Sequence, residues 1–525
     1  MNKYIEKART FLEQEKIDYL LVNSTNEFLV EYNELSKNSR YHLTGFSGST
    51  GDALVTKDNV YLFVDGRYHV QADLEVNHND ITVVKLQMGD KVIDELAKRM
   101  DEHSILGICS KKNSQFRYEN LTKKMGEKNV SVKLFDIDPI EEKIENKPQN
   151  LTEIPLNLTG KTTTEEKIKD LDLKANEALL VTNLEELSYI YNLRNFDKTN
   201  SCSIEGKALF THKNNYLFKD ETLANFDEFI KNCKFDTVYV DEMTVTAHDY
   251  ALLGSKASKI KWNPISNTKC IKTDAELEHY KDAFAKTDMA LADTGKFIAE
   301  NDNISEFDIK EELEKNFKKY GAIGQSFTSI VAKDENSALA HYSKSSKDEI
   351  IKEGSLVLID CGGYYEGGLA TDITRVFVKG EPNKLQRTVY TTVLKAFLRA
   401  FNTTKFEIGQ DIDRVARDFL EENAPAGFVF NHGLGHGIGV SVHEAPPRLS
   451  QGTWDSKIPL QNNMCFTIEP GLYKQGSFGV RLENSCYLQN GKIKSFVKMH
   501  YEKKLIDFSI LDEQEKEWLS YFEVK

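Results

Sequence analysis

The 525-residue chain has no excess of positive charge, no long apolar run and no closely paired cysteines. A net charge of −14 argues against a general nucleic-acid binder, which would present a basic face to phosphates. No stretch approaches the ~18 apolar residues of a membrane span. "MNKYIEKARTFLEQEK" has no apolar run behind its lysines, so no signal peptide is expected. The seven cysteines (109, 202, 233, 270, 361, 465 and 486) include no CxxC pair. That scatter fits reduced thiols in a cytoplasm and argues against a disulfide framework or a structural zinc site.

What is present is a globular composition spread over a length that suggests three domains, at about 150 residues each. An internal repeat organises the first two. "GDALVTKDNVYLFVD" (51–65) and "GKALFTHKNNYLFKD" (206–220) match at nine of fifteen positions. Upstream, "LLVNSTNEFLVEY" is echoed by "LLVTNLEELSYIY". Each copy reads as an apolar strand, an amphipathic helix and two strands around a polar turn, which predicts a duplicated α/β domain. Residues 145–170 lack either periodicity and read as a linker. Thr273 and Glu276 form a capping-box pattern, followed by an apolar stripe at Leu277, Tyr280, Phe284, Leu291 and Phe297 or Ile298. The expected domains are 1–147, 148–270 and 271–525, the last an alternation of helices and β-rich segments that carries the chemistry.

"NHGLGHGIGVSVHEAP" (431–446) crowds His432, His436 and His443 into a chain with only 12 histidines. His432 and His436 are spaced for one face of a helix, but Gly433, Gly435, Gly437 and Gly439 would each cost a helix about 1 kcal/mol. An extended strand or loop is expected instead, with His432 and His436 on one face. Taken alone, the stretch could still be a glycine-rich loop with incidental histidines.

Carboxylates decide the matter. In "SLVLIDCGGYYEGGLATDITRVFV" (355–378), Asp360 ends one apolar run and Asp372 begins the next, so both sit where one loop joins two strands. "MCFTIEPGLY" and "GVRLENSCYL" place Glu469 and Glu483 inside further apolar runs. Any one of these acids could be a strand-end surface residue. Four on buried strands oppose ionisation through desolvation and repulsion. Two divalent cations would neutralise them. Carboxylates with one imidazole and no thiolate favour hard or borderline metals, manganese first, with zinc, cobalt or iron also compatible. A metal pair sharing carboxylates is a clamp for hydrolysis, in which a bridging hydroxide attacks and both ions stabilise the oxyanion.

"LIDCGG…ATDITRVF", "HGLGHGIG", "TIEPGLY" and "GVRLEN" together resemble the pita-bread metallopeptidases, in particular the long, three-domain cytosolic Xaa-Pro aminopeptidases (aminopeptidase P). The resemblance covers nearly the whole chain, with "YHLTGFSGSTGDALVT" similar to the family's creatinase-like N-terminal domain and "LEELSYIYNLRNFD" to its second copy. It implies an α/β (α+β) architecture of two creatinase-like domains followed by a pita-bread catalytic domain. It implies Asp360, Asp372, His436, Glu469 and Glu483 as ligands of two metal ions, with Asp372 and Glu483 bridging. His341 matches a position that assists at the scissile carbonyl, and Phe327 one that lines a proline pocket. His432 and His443 would face or support substrate, and Arg481 would pair with a ligating carboxylate or grip substrate. Two departures stand out. The Asp360–Asp372 loop is one residue longer than is usual, and "RNFDKTNSCS" lacks the glycine and proline typical of the second domain.

The implied reaction removes the residue before a proline at position two of a peptide, with Glu469 as general base and then acid. His341 and His443 would hydrogen-bond the carbonyl or the oxyanion. A cytoplasmic homodimer is implied as well. A prolidase acting on Xaa-Pro dipeptides would share every ligand, and a methionine aminopeptidase would share the fold without the N-terminal domains. A non-catalytic pita-bread peptide-binding protein would be expected to have lost ligands.

Overall fold

The computed structural model describes residues 2–522 apart from 88, 143–146, 161, 170 and 261–262. The chain divides into two compact units. The first comprises Met1–Asn150, Lys169–Leu187 and Ile204–Pro264; the second comprises Leu151–Ile168, Ser188–Ser203 and Ile265–Lys525.

The first unit holds two sheets of like connectivity. One contains β1 (Tyr19–Asn23), β2 (Asp52–Val55), β3 (Val60–Val64), β4 (Ile81–Lys85), β5 (Ile105–Cys109) and β6 (Ser131–Phe135), in the order β4-β3-β2-β1-β5-β6. The other contains β7 (Glu177–Val181), β8 (Lys207–Thr211), β9 (Asn215–Phe218), β10 (Thr237–Asp241) and β11 (Ala257–Ile260), in the order β9-β8-β7-β10-β11. In each, the first apolar strand pairs antiparallel to the strand of the repeated "ALxT" segment and parallel to a later one. The two sheets thus share the connectivity of the repeated segments; among the described residues, β4 has no counterpart in the second sheet. The copies meet at equivalent points. Ser114 caps one helix (Gln115–Gly126), Thr246 caps its counterpart (Ala247–Leu253), and the two capping residues form an antiparallel bridge.

The second unit is built on a six-stranded sheet. Its strands are β12 (Ile330–Lys333), β13 (Leu356–Cys361), β14 (Ile373–Val378), β15 (Cys465–Ile468), β16 (Glu483–Gln489) and β17 (Lys492–Ser495). The order is β12-β13-β14-β16-β15, with β17 on the far side of β16. Helix α1 (Asp274–Glu300) begins at the Thr273/Glu276 capping box and buries Leu277, Tyr280, Phe284, Leu291 and Ile298. α2 (Lys384–Phe401) and α3 (Gly409–Asn423) contribute Val393, Phe397, Ile412 and Leu420 to the core against Leu358, Val376 and Phe466.

Within this unit a strap, Ser188–Ser203, lies against the loop between β13 and β14. Arg194 Nε donates to the Gly368 carbonyl at 2.7 Å, and Asn200 Nδ2 donates to Thr328 Oγ1 at 2.7 Å. The buried Cys202 thiol faces the carbonyls of Gly368 and Val440. The linker expected to be irregular carries a short helix at Thr164–Ile168, and its Thr152–Glu153 pairs with Leu193–Arg194. The longer Asp360–Asp372 loop is thus held in place, with the Gly367 amide donating to His279 Nε2 at 3.2 Å.

Candidate metal centre

Strand register assembles the acids. Asp360 on β13 pairs with Thr374 on β14, and Thr374 pairs in turn with Glu483 on β16. Side chains two apart share a face, so Asp372 and Thr374 point the same way, toward the neighbours of both partners. Asp372, His436 and Glu483 each offer a ligand atom, and these atoms lie within 4.8 Å of one another. Glu469 joins from the end of β15, its Oε1 3.6 Å from His436 Nε2.

Only Gly435–His436 of the histidine segment is strand; the rest runs through bends and irregular backbone. Gly435–His436 pairs with Arg448–Leu449, and the His436 amide donates to Thr467 Oγ1 at 3.2 Å. The glycines serve close approach and do not adopt left-handed backbone. A Cβ on Gly435 would lie 2.0 Å from the Thr467 carbonyl, and one on Gly437 would lie 2.1 Å from the Glu444 carbonyl. His436 Nδ1 donates to the Gly437 carbonyl at 3.0 Å, which assigns the proton to that nitrogen. Its Nε2 is left to face the carboxylates, 3.5 Å from Asp372 Oδ2. An imidazole nitrogen among carboxylate oxygens calls for a proton or a metal cation between them.

The electrostatics agree. Burial, then the charges of Asp360 and Glu469, hold the Asp372 carboxyl well above the ordinary range despite the opposing Arg481. Burial, then Asp372 and Asp360, do the same to Glu483. Asp360 Oδ1, Asp372 Oδ1 and Glu483 Oε1 are buried without a hydrogen-bond partner. Such orphaned oxygens cost about 1–3 kcal/mol each, more when charged. Divalent ions would satisfy them, so these residues fit a metal centre of oxygen ligands and one imidazole. Cys361, next to Asp360, is fully buried with its thiol raised well above its usual pKa, so it does not offer a thiolate.

A hydrogen-bonded chain braces the centre. Arg481 Nη2 donates to Asp360 Oδ2 at 2.6 Å, Nη1 to Tyr473 Oη at 2.8 Å and Nε to Thr374 Oγ1 at 3.2 Å. Thr374 Oγ1 donates to Glu483 Oε2 at 2.7 Å. Tyr473 Oη lies 2.8 Å from His432 Nε2, and His432 Nδ1 donates to the Gly433 carbonyl at 2.7 Å. One assignment satisfies all of it: Arg481 donates to the phenol, which donates to His432. Burial pushes the Tyr473 phenol up to about 12, so it keeps the proton it donates.

The remaining candidates lie around this core. The His443 ring is 4.4 Å from the His436 ring, edge-on. His432 is engaged with Tyr473 and Phe430. Phe327 is buried and follows Ser326, whose hydroxyl donates to the Thr371 carbonyl beside Asp372. His341 is half-buried in the turn after Asp334–Ala338, a segment fixed to Gly479 by Ser337. Arg481 has each guanidinium nitrogen held by a protein partner.

Sequence reasoning passed over Tyr473 and Thr374. Thr374 was accessible from strand alternation, two residues after Asp372. Tyr473 was not, because its role depends on a hairpin, Gly471–Lys474 with Phe478–Arg481, that sets Gly471 opposite Arg481.

The metallopeptidase family M24 model matches residues 278–490, and the creatinase/prolidase N-terminal domain model matches residues 5–144. Xaa-Pro aminopeptidase 1 of Dictyostelium discoideum is 28% identical, spanning 98% of this chain and 91% of that protein. A probable Xaa-Pro aminopeptidase P of Laccaria bicolor is 28% identical over 99% of this chain and 88% of its own. Among solved structures, the X-prolyl aminopeptidase of Caenorhabditis elegans, a cytosolic enzyme with a di-nuclear active site, superposes with a TM-score of 0.89. It shares 21% identity, and 99% of this chain and 94% of that one are covered; the likeness shows a common fold.

Proposed function

Since residues 278–490 match the metallopeptidase family M24 model and residues 5–144 the creatinase/prolidase N-terminal domain model, we propose that the chain removes the N-terminal residue from peptides with proline second. The relatives bearing that activity in their names align over their near-complete length. The observation that carries the reading is His436 Nε2 facing Asp372 and Glu469 at 3.5 and 3.6 Å, beside three orphaned carboxylate oxygens.

In this reading Asp360, Asp372, His436, Glu469 and Glu483 would hold two divalent ions, manganese by preference. When bound, the ions supply Lewis-acid polarisation of the scissile carbonyl and acidify the attacking water. The chain's own groups do the rest. An Xaa-Pro bond has no N–H, so recognition falls to the pyrrolidine ring, for which Phe327 offers an apolar wall. Glu469 takes the proton of the attacking water and returns it to the departing proline nitrogen, a role worth about 10²–10⁴-fold. His443 and His341 donate to the carbonyl oxygen as it gains charge. His432, held by Tyr473, keeps its neighbours in place, and Arg481 orients Asp360. A cytoplasmic homodimer goes with this reading.

Product analysis tests it. The manganese-loaded protein is expected to release arginine from an Arg-Pro-Pro peptide. Cleavage confined to Xaa-Pro dipeptides would make it a prolidase. No cleavage and no retained metal would leave a peptide-binding protein.

A further inference from the structure

Three charged side chains that this chemistry leaves unused are buried together. Glu444, Lys272 and Lys269 have side-chain exposures of 1%, 3% and 1%. Lys272 Nζ lies 2.8 Å from Glu444 Oε1, and Lys269 Nζ lies 3.8 Å from Oε2. Oε2 also accepts the Val440 amide at 2.7 Å. Packed apolar side chains would stabilise a core as well or better, since desolvation offsets most of such a pair's attraction. A buried triad of this kind is therefore better explained by the geometry it fixes.

That geometry is the loop joining two of the site's histidines. The Glu444 amide donates to the Gly437 carbonyl at 2.8 Å, and the Gly437 amide to the Pro447 carbonyl at 2.7 Å, so residues 437–447 close on themselves. The Glu444 carboxylate fills the inside of the loop, where a Cβ on Gly439 would lie 1.9 Å from Oε1. His436 stands just before the loop and His443 stands within it, their rings 4.4 Å apart. The anchor is itself fixed. The Lys272 amide donates to the Asn463 carbonyl, and Asn463 Nδ2 donates back to the Lys272 carbonyl, both at 3.0 Å, two residues ahead of β15. The strand that delivers Glu469 and the loop that delivers His443 are thus tied through one carboxylate.

We propose that Glu444 is a positioning residue: anchored by Lys272 and Lys269, it holds the 437–447 loop so that His443 faces His436 and the substrate carbonyl. The inference rests on the reading of His443 given above.

The experiment is a double-mutant cycle on the full, manganese-loaded chain with an Xaa-Pro-Yaa peptide. Glu444→Gln keeps the shape and removes the charge; Lys272→Gln removes the anchor from the other side and serves if the first variant fails to fold. Each is expected to lower kcat at least about tenfold while KM and bound metal stay within about twofold. In a His443→Ala background, the same changes are expected to cost less than about twofold, because residues acting as a unit are not additive. A purely structural role would lower melting temperature with kcat intact, or multiply the His443→Ala loss by the full factor; either result overturns the proposal. A His443→Ala variant with undiminished kcat would also overturn it, together with the role of His443, while cleavage by the parent protein would still stand.

Discussion

Arg481 reaches one oxygen of Asp360 at 2.6 Å and leaves the other, Oδ1, buried with no partner. The guanidinium therefore sets the angle of the carboxylate without neutralising the cluster, and the free oxygen is left for an ion. Groups that orient metal ligands in this way are worth about 10–100-fold in metal affinity or activity.

Arg481→Lys should lose that factor, although charge is retained. A lysine cannot reach Asp360, Tyr473 and Thr374 in a fixed fork. Steady-state kinetics and metal titration check this; a Lys variant within twofold of the parent would show that charge alone suffices.

Stripping the metal should destabilise the protein. Without ions, Asp372 and Glu483 must stay protonated or repel their neighbours. A ligand at a hundred times its Kd stabilises the folded state by about 2.7 kcal/mol. Calorimetry should show a lower melting temperature after chelation, restored by added manganese. Identical melting curves with and without chelator would count against a tight site at these residues.

Gly435→Ala should cost about 1–3 kcal/mol, the usual range for overpacking. The new methyl would be driven into the Thr467 carbonyl, a backbone atom that cannot swing away. Because His436 is the next residue, metal affinity should fall as well. Urea unfolding and metal titration read the two effects separately.

Asp288 gives a pH signature away from the metal centre. It lies on α1, accepts the amides of Lys498 and Met499 and leaves Oδ1 buried without a partner. Burial lifts its carboxyl to about 6, against those amides and the Arg375 charge. A raised carboxyl favours the folded state while it is protonated. Its contribution is complete below the unfolded value of 3.8 and is lost as pH rises through 6. Asp288→Asn cannot ionise, so its stability relative to the parent should improve by up to ~3 kcal/mol between pH 4 and pH 7. Urea unfolding of both proteins across that range is the check, and a difference that stays flat with pH would contradict it.

The parts of this molecule that could be read in the sequence are those whose cause is local. The Thr273/Glu276 capping box needs only three residues, and it starts the helix where expected. The repeat segments fold alike because each carries its own alternation of apolar positions. The acids were visible because carboxylates inside apolar runs violate the usual pattern. What stayed hidden depends on distant partners. Nothing near Glu444 announces that two lysines more than 170 positions earlier will meet it. Nor does the segment around residue 194 reveal that Arg194 will hold the loop between Asp360 and Asp372.

The strap at Ser188–Ser203 has one more consequence. It belongs to the unit that houses the carboxylates, yet the chain reaches it from the other unit and returns there afterward. No single cut in the polypeptide separates the two halves cleanly. A fragment starting at residue 271 would leave the Gly368 carbonyl without Arg194 and Thr328 without Asn200. Here the stretch that the M24 model matches and the stretch that folds together are different lengths of chain.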